Sequence, residues 1–141
     1  MLDTQAYSLF RLRNGDRIVG YMRYVSPTVQ YYSTDLLWWA GDAIAYEHKD
    51  AYSTVKDKNS QYIFEWDLIK MTHKTSGESL DALVVHSPFT NDCVAVWCES
   101  FQEIAQCDWG QYRIQRHSYL FVNPDLMTAF KYNGYIPFDI V

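Results

Sequence analysis

Apolar and polar positions alternate through much of the first third of the chain, and that alternation predicts strands. Residues 7–13 (YSLFRLR) and 17–25 (RIVGYMRYV) read as two strands joined at Asn14-Gly15, a dipeptide suited to tight hairpin turns. A two-residue turn there would set Phe10 opposite Val19 and Leu12 opposite Arg17 on one face. Leu9 would then oppose Gly20, and Tyr7 would oppose Met22, on the other. Neither face is polar throughout, so the pattern predicts cover on both sides of the hairpin. Ser26-Pro27 reads as a turn, and TVQYYST at 28–34 resumes the strand pattern.

Beyond residue 34 the periodicity is less decisive. DLLWWAG at 35–41 fits an extended segment or a loop with buried aromatics. If it is extended, Trp38 and Trp39 point to opposite faces, one into the core and one to an interface or ligand platform. Residues 42–56 fit a short helix or a pair of strands. DKNS at 57–60 is a turn, and QYIFEWDLIKM and LDALVVHS read as strands separated by the polar THKTSGES. After the turn PFTNDC, strands are predicted at VAVWCES (94–100) and YRIQRHSYLFV (112–122). The tail carries a helix signature: Asn123 as cap, Pro124 at the first helical position and Asp125 at the positive end of the dipole. Leu126, Met127 and Phe130 supply its apolar stripe, and Gly134 ends it.

Composition supports one packed, mainly β domain over residues 1–141. Hydrophobic residues make up 48% of the 141, with 12 Tyr, 7 Phe and 5 Trp, which excludes a disordered chain. The net charge of −5 is unevenly spread. Residues 1–70 hold eight basic and nine acidic side chains, and residues 71–141 hold four basic and eight acidic. This balance argues against a broad basic face for duplex DNA, while leaving room for a local cationic site that reads single strands. Cys93, Cys98 and Cys107 are odd in number and lack C-x-x-C spacing, so they read as reduced thiols. Their spacing does not recommend a zinc site with His86 or His117, and no metal or cofactor is expected. MLDTQAYSLFRLR lacks the regions of a signal peptide, and LLWWA is too short to cross a bilayer. The expectation is a cytoplasmic protein without a membrane partner.

FRLRNGDRIVGYMRYV at 10–25 is similar to the first motif of the Sm-like (LSm/Hfq-type) family. Leu12, Asn14, Gly15, Ile18, Gly20, Met22 and Val25 carry the likeness, with Val29 and Tyr31 continuing it. Gly20 would be the bend point of a small, strongly bent antiparallel barrel, where a sheet folding on itself leaves no room for a Cβ. Two segments resemble the second motif. AYEHKDAYSTV at 45–55 has Tyr46 and His48 in place, with Glu47 where a basic residue is expected. YRIQRHSYLFV matches in character at Ile114, Arg116, His117 and Leu120. Ala82 to Asp92 and Asn123 to Tyr132 look like pieces that flank the closing strands in some phage-encoded Sm-like proteins, which favours the second segment. The resemblance then divides the domain into a hairpin with third strand (7–34), an insertion (35–80), closing strands (81–122) and a helix (123–134).

This resemblance implies a non-enzymatic ring of six or seven subunits that binds single-stranded RNA or nucleotides around its pore, encoded by a phage and acting in the cytoplasm of a bacterial host. The corresponding contact positions are Pro27, Thr28 and Gln30 after the hairpin, and Gln115, Arg116 and His117 in the later motif. Thr28 stands where a stacking aromatic is expected, a role open to Tyr31 or Tyr24. Without the resemblance, Arg116-His117 reads as a solvated turn and His48 as a surface histidine.

DKNSQYIFEWDLIKM at 57–71 is also similar to the DKNG-x-x-IFEGDIVK stretch of YopX-like phage proteins, small β-rich domains of largely unknown function. Asp57, Lys58, Asn59, Ile63, Phe64, Glu65, Asp67 and Lys70 match, and Trp66 replaces the usual Gly. This resemblance implies an accessory protein acting through protein contacts, for example with a host factor.

Two charge groups remain. Arg11, Arg13, Arg17 and Arg23 cluster near the hairpin, either as phosphate contacts or as an exposed rim paired with Asp16 and other carboxylates. Glu65 and Asp67 would share a strand face, where they could hold a divalent cation or form a solvated edge. G-x-S-x-G, P-loop and H-E-x-x-H signatures are absent, and no nucleophile or acid/base pair stands out, so an enzyme is not expected.

Overall fold

The computed structural model describes residues 7–25, 28–32, 34, 39–40, 43–87 and 92–136. The Ser26-Pro27 turn, with the contact residue Pro27, and Trp38 lie outside the described residues, as does the side chain of Trp39. The fold is mainly β, with two antiparallel sheets and one short C-terminal helix. The chain divides into two compact units, residues 1–52 and 53–141.

In the first unit, β1 (Tyr7–Asn14), β2 (Arg17–Val25), β3 (Thr28–Tyr32), β4 (Trp39–Ala40) and the start of β5 (His48–Lys56) form a sheet in the order β4-β3-β2-β1-β5. The 42–56 segment thus contributes a single strand. The hairpin is present, but its register differs from the expected one. Asn14 pairs with Arg17, so the turn residues are Gly15 and Asp16, not Asn14 and Gly15. Gly15 takes the positive φ, 62°, required at the first central position of a type II′ turn. A bulge follows between Leu12 and Arg13, and Leu12 comes to face Gly20.

Gly20 is held by close approach. A Cβ there would lie 2.6 Å from the Tyr32 carbonyl oxygen and 2.6 Å from Ile44 Cδ1. No side chain fits. Both faces of β1 are covered: Leu9, Arg11 and Arg13 are buried on one side and Leu12 on the other. Arg11 and Arg13 therefore do not belong to an exposed rim, whereas Arg17 is exposed and Arg23 is half-buried. Arg11 stands opposite Asp50 of β5, and the Asp50 carboxylate accepts from Arg11 Nε at 2.9 Å and from Arg13 Nε at 3.0 Å. Two guanidiniums share one buried carboxylate, an arrangement that is costly to break from either side.

The second unit begins within β5, whose end neighbours β6 (Tyr62–Phe64). Its sheet has the order β10-β9-β8-β7-β11, from β7 (Asp67–His73), β8 (Ser79–His86), β9 (Cys93–Trp97), β10 (Glu103–Ile104) and β11 (Tyr112–Tyr119). Residues 67–73, which fall within the 35–80 segment, form the strand between β8 and β11. Both faces of this sheet are buried, which explains why ALVV at 82–85 is apolar without alternation. Ala82 and Val84 join Ile63, Met71, Trp109 and Ile114 on one face. Leu83 and Val85 join Leu68, Val96, Leu120 and Phe130 on the other. Among the described residues, no strand pairing closes either sheet into a barrel.

QYIFEWDLIKM is two strands rather than one. The Phe64 amide donates to Asp67 Oδ2 at 2.8 Å, closing a tight turn in which Trp66 adopts φ 74°. Asp67 is fully buried there and lies 3.9 Å from Arg116, so Glu65 and Asp67 do not form a solvated edge.

The helix α1 (Pro124–Tyr132) has Pro124 and Asp125 in its first turn. Asn123 occupies the cap position without capping through its side chain. Its amide instead donates backward to Tyr119 O and Ser118 Oγ. The helix ends in a Schellman arrangement: Gly134 N donates to Lys131 O and Tyr135 N to Phe130 O, both at 3.0 Å. Phe130 and Tyr135 pack edge to face across it. Among the described residues no helix is long and apolar enough to cross a membrane.

Candidate functional site

The second unit gathers cations that are far apart in sequence. Lys56 ends β5, Lys58 lies in the turn that follows, Lys74 follows β7, and Arg113 lies on β11. All four line one open concavity of about 440 Å³. They are a third of the chain's 12 Lys and Arg, in a protein of net charge −5.

Backbone contacts hold this concavity in shape. Asp57 Oδ1 accepts from the amides of Asn59 and Gln61, both at 2.9 Å, an Asx-type closure of the DKNS turn. Its Oδ2 accepts from the Arg116 amide at 3.1 Å, and Lys58 N donates to Ile114 O at 2.8 Å, tying the turn to β11. Lys74 N donates to Gln111 O at 3.0 Å. Asp57 is the single carboxylate in the lining, and it is buried with both oxygens engaged. The hollow therefore carries an excess of positive charge in its lining, with no exposed acid among those residues.

Aromatic surface and one unmet acceptor complete it. Tyr112 is half-buried in the wall, and Lys56 Nζ sits 4.9 Å from the centre of the Tyr62 ring, outside the lining. Trp109 is buried beneath, its indole N–H donating to Ile104 O at 3.2 Å. Gln106 Nε2 donates to Ser53 O and to Thr54 Oγ1, whereas its Oε1 is buried and has no hydrogen-bond partner among the described residues. Exchanging the two amide atoms would put oxygen against the Ser53 carbonyl, so the orientation is fixed. A buried acceptor beside a cationic hollow suits a ligand that carries N–H donors along with negative charge.

The residues expected to contact RNA lie in two separate groups. Thr28, Gln30 and Tyr31 are on β3 of the first unit, with Tyr32 Oη donating to Gln30 Oε1 at 3.0 Å. Gln115, Arg116 and His117 are on β11 of the second unit, next to the concavity rather than in it. Arg116 works inside the fold: Nη1 donates to Tyr62 O at 3.1 Å and its guanidinium lies over Tyr119. Of the two segments resembling a second Sm motif, 45–55 is the one whose strand pairs with β1, through Phe10 to Arg13 against His48 to Ala51. The other, β11, pairs with β7. Sequence reading missed Lys56, Lys58, Lys74 and Arg113 because they come from four positions along three segments. The Asp-Lys-Asn turn was the one local signal that could have pointed to them.

A second, more enclosed hollow of about 350 Å³ contains His117. His117 Nε2 lies 3.4 Å from Asp81 Oδ1, and Cys98 is beside them. Burial pushes the Cys98 thiol up to about 11, with Asp81 and Glu99 adding to the shift. A thiol held protonated in this way is a poor nucleophile, and among the described residues no hydrogen bond joins it to His117. Cys93 is pushed up to about 12, again mainly by burial. No three metal-ligating side chains gather among the described residues.

No protein-family model, curated protein or solved structure matches this chain.

Proposed function

We propose that this protein binds single-stranded RNA without catalysing a reaction, and that the cationic concavity of the second unit is where the phosphates lie. The observation that carries this reading is the meeting of Lys56, Lys58, Lys74 and Arg113 around one buried, fully engaged carboxylate. Flexible lysines and an arginine along an open groove follow a backbone, and half-buried Tyr112 in its wall offers aromatic surface to a base. The Gln106 acceptor adds a place for a base N–H. An Sm-like, phage-encoded oligomer of six or seven copies remains part of this proposal, supported by the glycine-dependent hairpin and by β5 pairing with β1.

The test is fluorescence anisotropy of labelled oligo-U and oligo-A at several salt concentrations, with the mass in solution measured alongside. Salt-dependent binding that is lost in a variant with all four cations changed to Gln supports the reading. Absence of salt-dependent binding at micromolar protein, or binding indifferent to the variant, overturns it. A monomer or dimer removes the ring while leaving the RNA site testable.

A second reading, a YopX-like accessory protein, is supported by a different observation. Ser60 and Trp66 both have positive φ, 62° and 74°, at the two positions where the YopX-like stretch carries Gly. That coincidence concerns residues 57–71 of the second unit, whereas the Sm-like hairpin lies in the first. The observations that support the two readings therefore come from different parts of the chain.

A further inference from the structure

Beside the cationic concavity, aromatic side chains from three strands of the second sheet meet. Tyr112 on β11 stands opposite His73 on β7, and the two rings meet edge to face at 5.2 Å. The Trp97 ring of β9 meets Tyr112 at 5.9 Å, also edge to face. Trp97 and Tyr112 pack on the face that carries Met71 and Ala82, and Leu80, 37% exposed, stands opposite Met71. All three rings are half-buried, so each keeps some surface open to solvent. The imidazole is also fixed in place. His73 Nδ1 accepts from the amides of Thr75 and Ser76 at 3.2 and 3.3 Å, so in the neutral ring Nε2 carries the proton. Neither that N–H nor the Tyr112 hydroxyl has a hydrogen-bond partner among the described residues.

We propose that Trp97, Tyr112 and His73 form the platform on which unpaired bases of the bound strand stack. The proposal rests on the RNA reading of the cationic concavity and deepens it, from a phosphate groove to a site that also takes bases. Continuity selects the occupant. Tyr112 lines the concavity, as does Lys74, the residue after His73, so a strand whose phosphates lie there brings its bases to the rings. Charge keeps the two roles apart. Glu78 is exposed, and its carbonyl accepts from His73 N at 2.8 Å, which places an acid beside the rings. A carboxylate there disfavours a phosphate and leaves a neutral base unopposed. Every base has a π-face, so such a platform tolerates many sequences. The His73 N–H and the Tyr112 hydroxyl can meet the edge of a splayed base. A base paired in a duplex has its faces covered, so duplex RNA is the poorer ligand.

The test compares labelled oligo-U with an abasic ribose-phosphate strand of the same length, by anisotropy at several salt concentrations. The two carry the same charge, so their salt slopes should agree. The abasic strand should bind about tenfold more weakly, or worse, on the unaltered protein. Trp97→Leu keeps an apolar side chain over the core. It should weaken oligo-U about fivefold or more at unchanged salt slope, while the abasic strand binds as before. Equal affinity for oligo-U and the abasic strand overturns the platform and leaves the phosphate groove standing. Binding of neither strand overturns both. A folded Trp97→Leu variant that holds oligo-U as tightly as the parent, or a duplex that binds as well as the single strand, also overturns the platform. The abasic comparison is made on the unaltered protein, so it decides even if Trp97→Leu fails to fold.

Discussion

At Gly20 one hydrogen in place of a methyl decides whether the first sheet can close up. A Cβ would sit 2.6 Å from a backbone oxygen, which cannot rotate away as a side chain would. Gly20→Ala is therefore expected to destabilise the protein by about 1–3 kcal/mol, the usual cost of forcing atoms into filled space. Gly110→Ala, where nothing lies within 4 Å, should leave stability within about 0.5 kcal/mol. Urea unfolding of the two variants checks this, and equal midpoints would refute the steric account. Gly20 was legible in the sequence because a lone glycine amid β-branched and aromatic strand residues signals a bend or a close backbone approach. Arg11 and Arg13 were not, since their burial depends on Asp50, 39 and 37 residues away. The thiols give a second residue-scale test. Cys93 and Cys98 are pushed up to about 12 and about 11, so both keep their protons well above neutral pH. Iodoacetamide at mildly alkaline pH should modify exposed Cys107 first and reach the other two only on unfolding. The sign for stability follows. A raised thiol value favours the folded state fully below the ordinary value of 9.0, and this contribution is lost as pH climbs toward about 12. Cys93→Ala should flatten that alkaline loss, as read from melting temperature against pH.

Among the elements, the turns at 57–60 and 65–66 shape the second unit most directly. Both rely on non-glycine residues at positive φ, yet the two are not alike. Ser60 is exposed, and its side chain forms no hydrogen bond among the described residues, so its φ of 62° is strain without compensation. Ser60→Gly should stabilise the protein by up to about 1 kcal/mol. Trp66 also has positive φ, but its half-buried ring packs against the cluster of Leu68, Leu83 and Phe130. Removing that ring costs more than the strain it relieves, so Trp66→Gly should destabilise by about 2 kcal/mol. Chemical denaturation separates the two, and a destabilising Ser60→Gly would remove the strain argument. These turns also show where pattern reading stops. DKNS announced its turn through Asp, Asn and Ser. The turn at Glu65-Trp66 stayed hidden inside an apolar strand-like run, because a tryptophan carries no turn signal. The helix was readable from Pro124 to Gly134, although Asn123 spends its amide on Tyr119 and Ser118 rather than on the helix.

For the whole molecule, charge is segregated rather than merely negative. Residues 53–141 contain seven Lys and Arg against eleven Asp and Glu, yet four of those cations share one concavity. Linear counting reported the acidic balance correctly and could not reveal the gathering, because turn, strand end and β11 meet only in the fold. This distribution makes a specific prediction about salt. At about 0.1 M the screening length is near 10 Å, so a bound strand feels chiefly the four nearby cations. If all four meet phosphates, log affinity for oligo-U should fall with log salt at a slope of about −3. Changing one of them, Lys58→Gln, should reduce the slope by about 0.7. At about 0.01 M the screening length reaches about 30 Å, and the surplus of carboxylates enters the balance. Affinity should then stop rising, so the plot bends toward a plateau at low salt. A straight line of undiminished slope down to about 0.01 M would show that the acidic surplus is not felt at the binding site. A slope near zero throughout would mean that phosphates are not what the concavity holds.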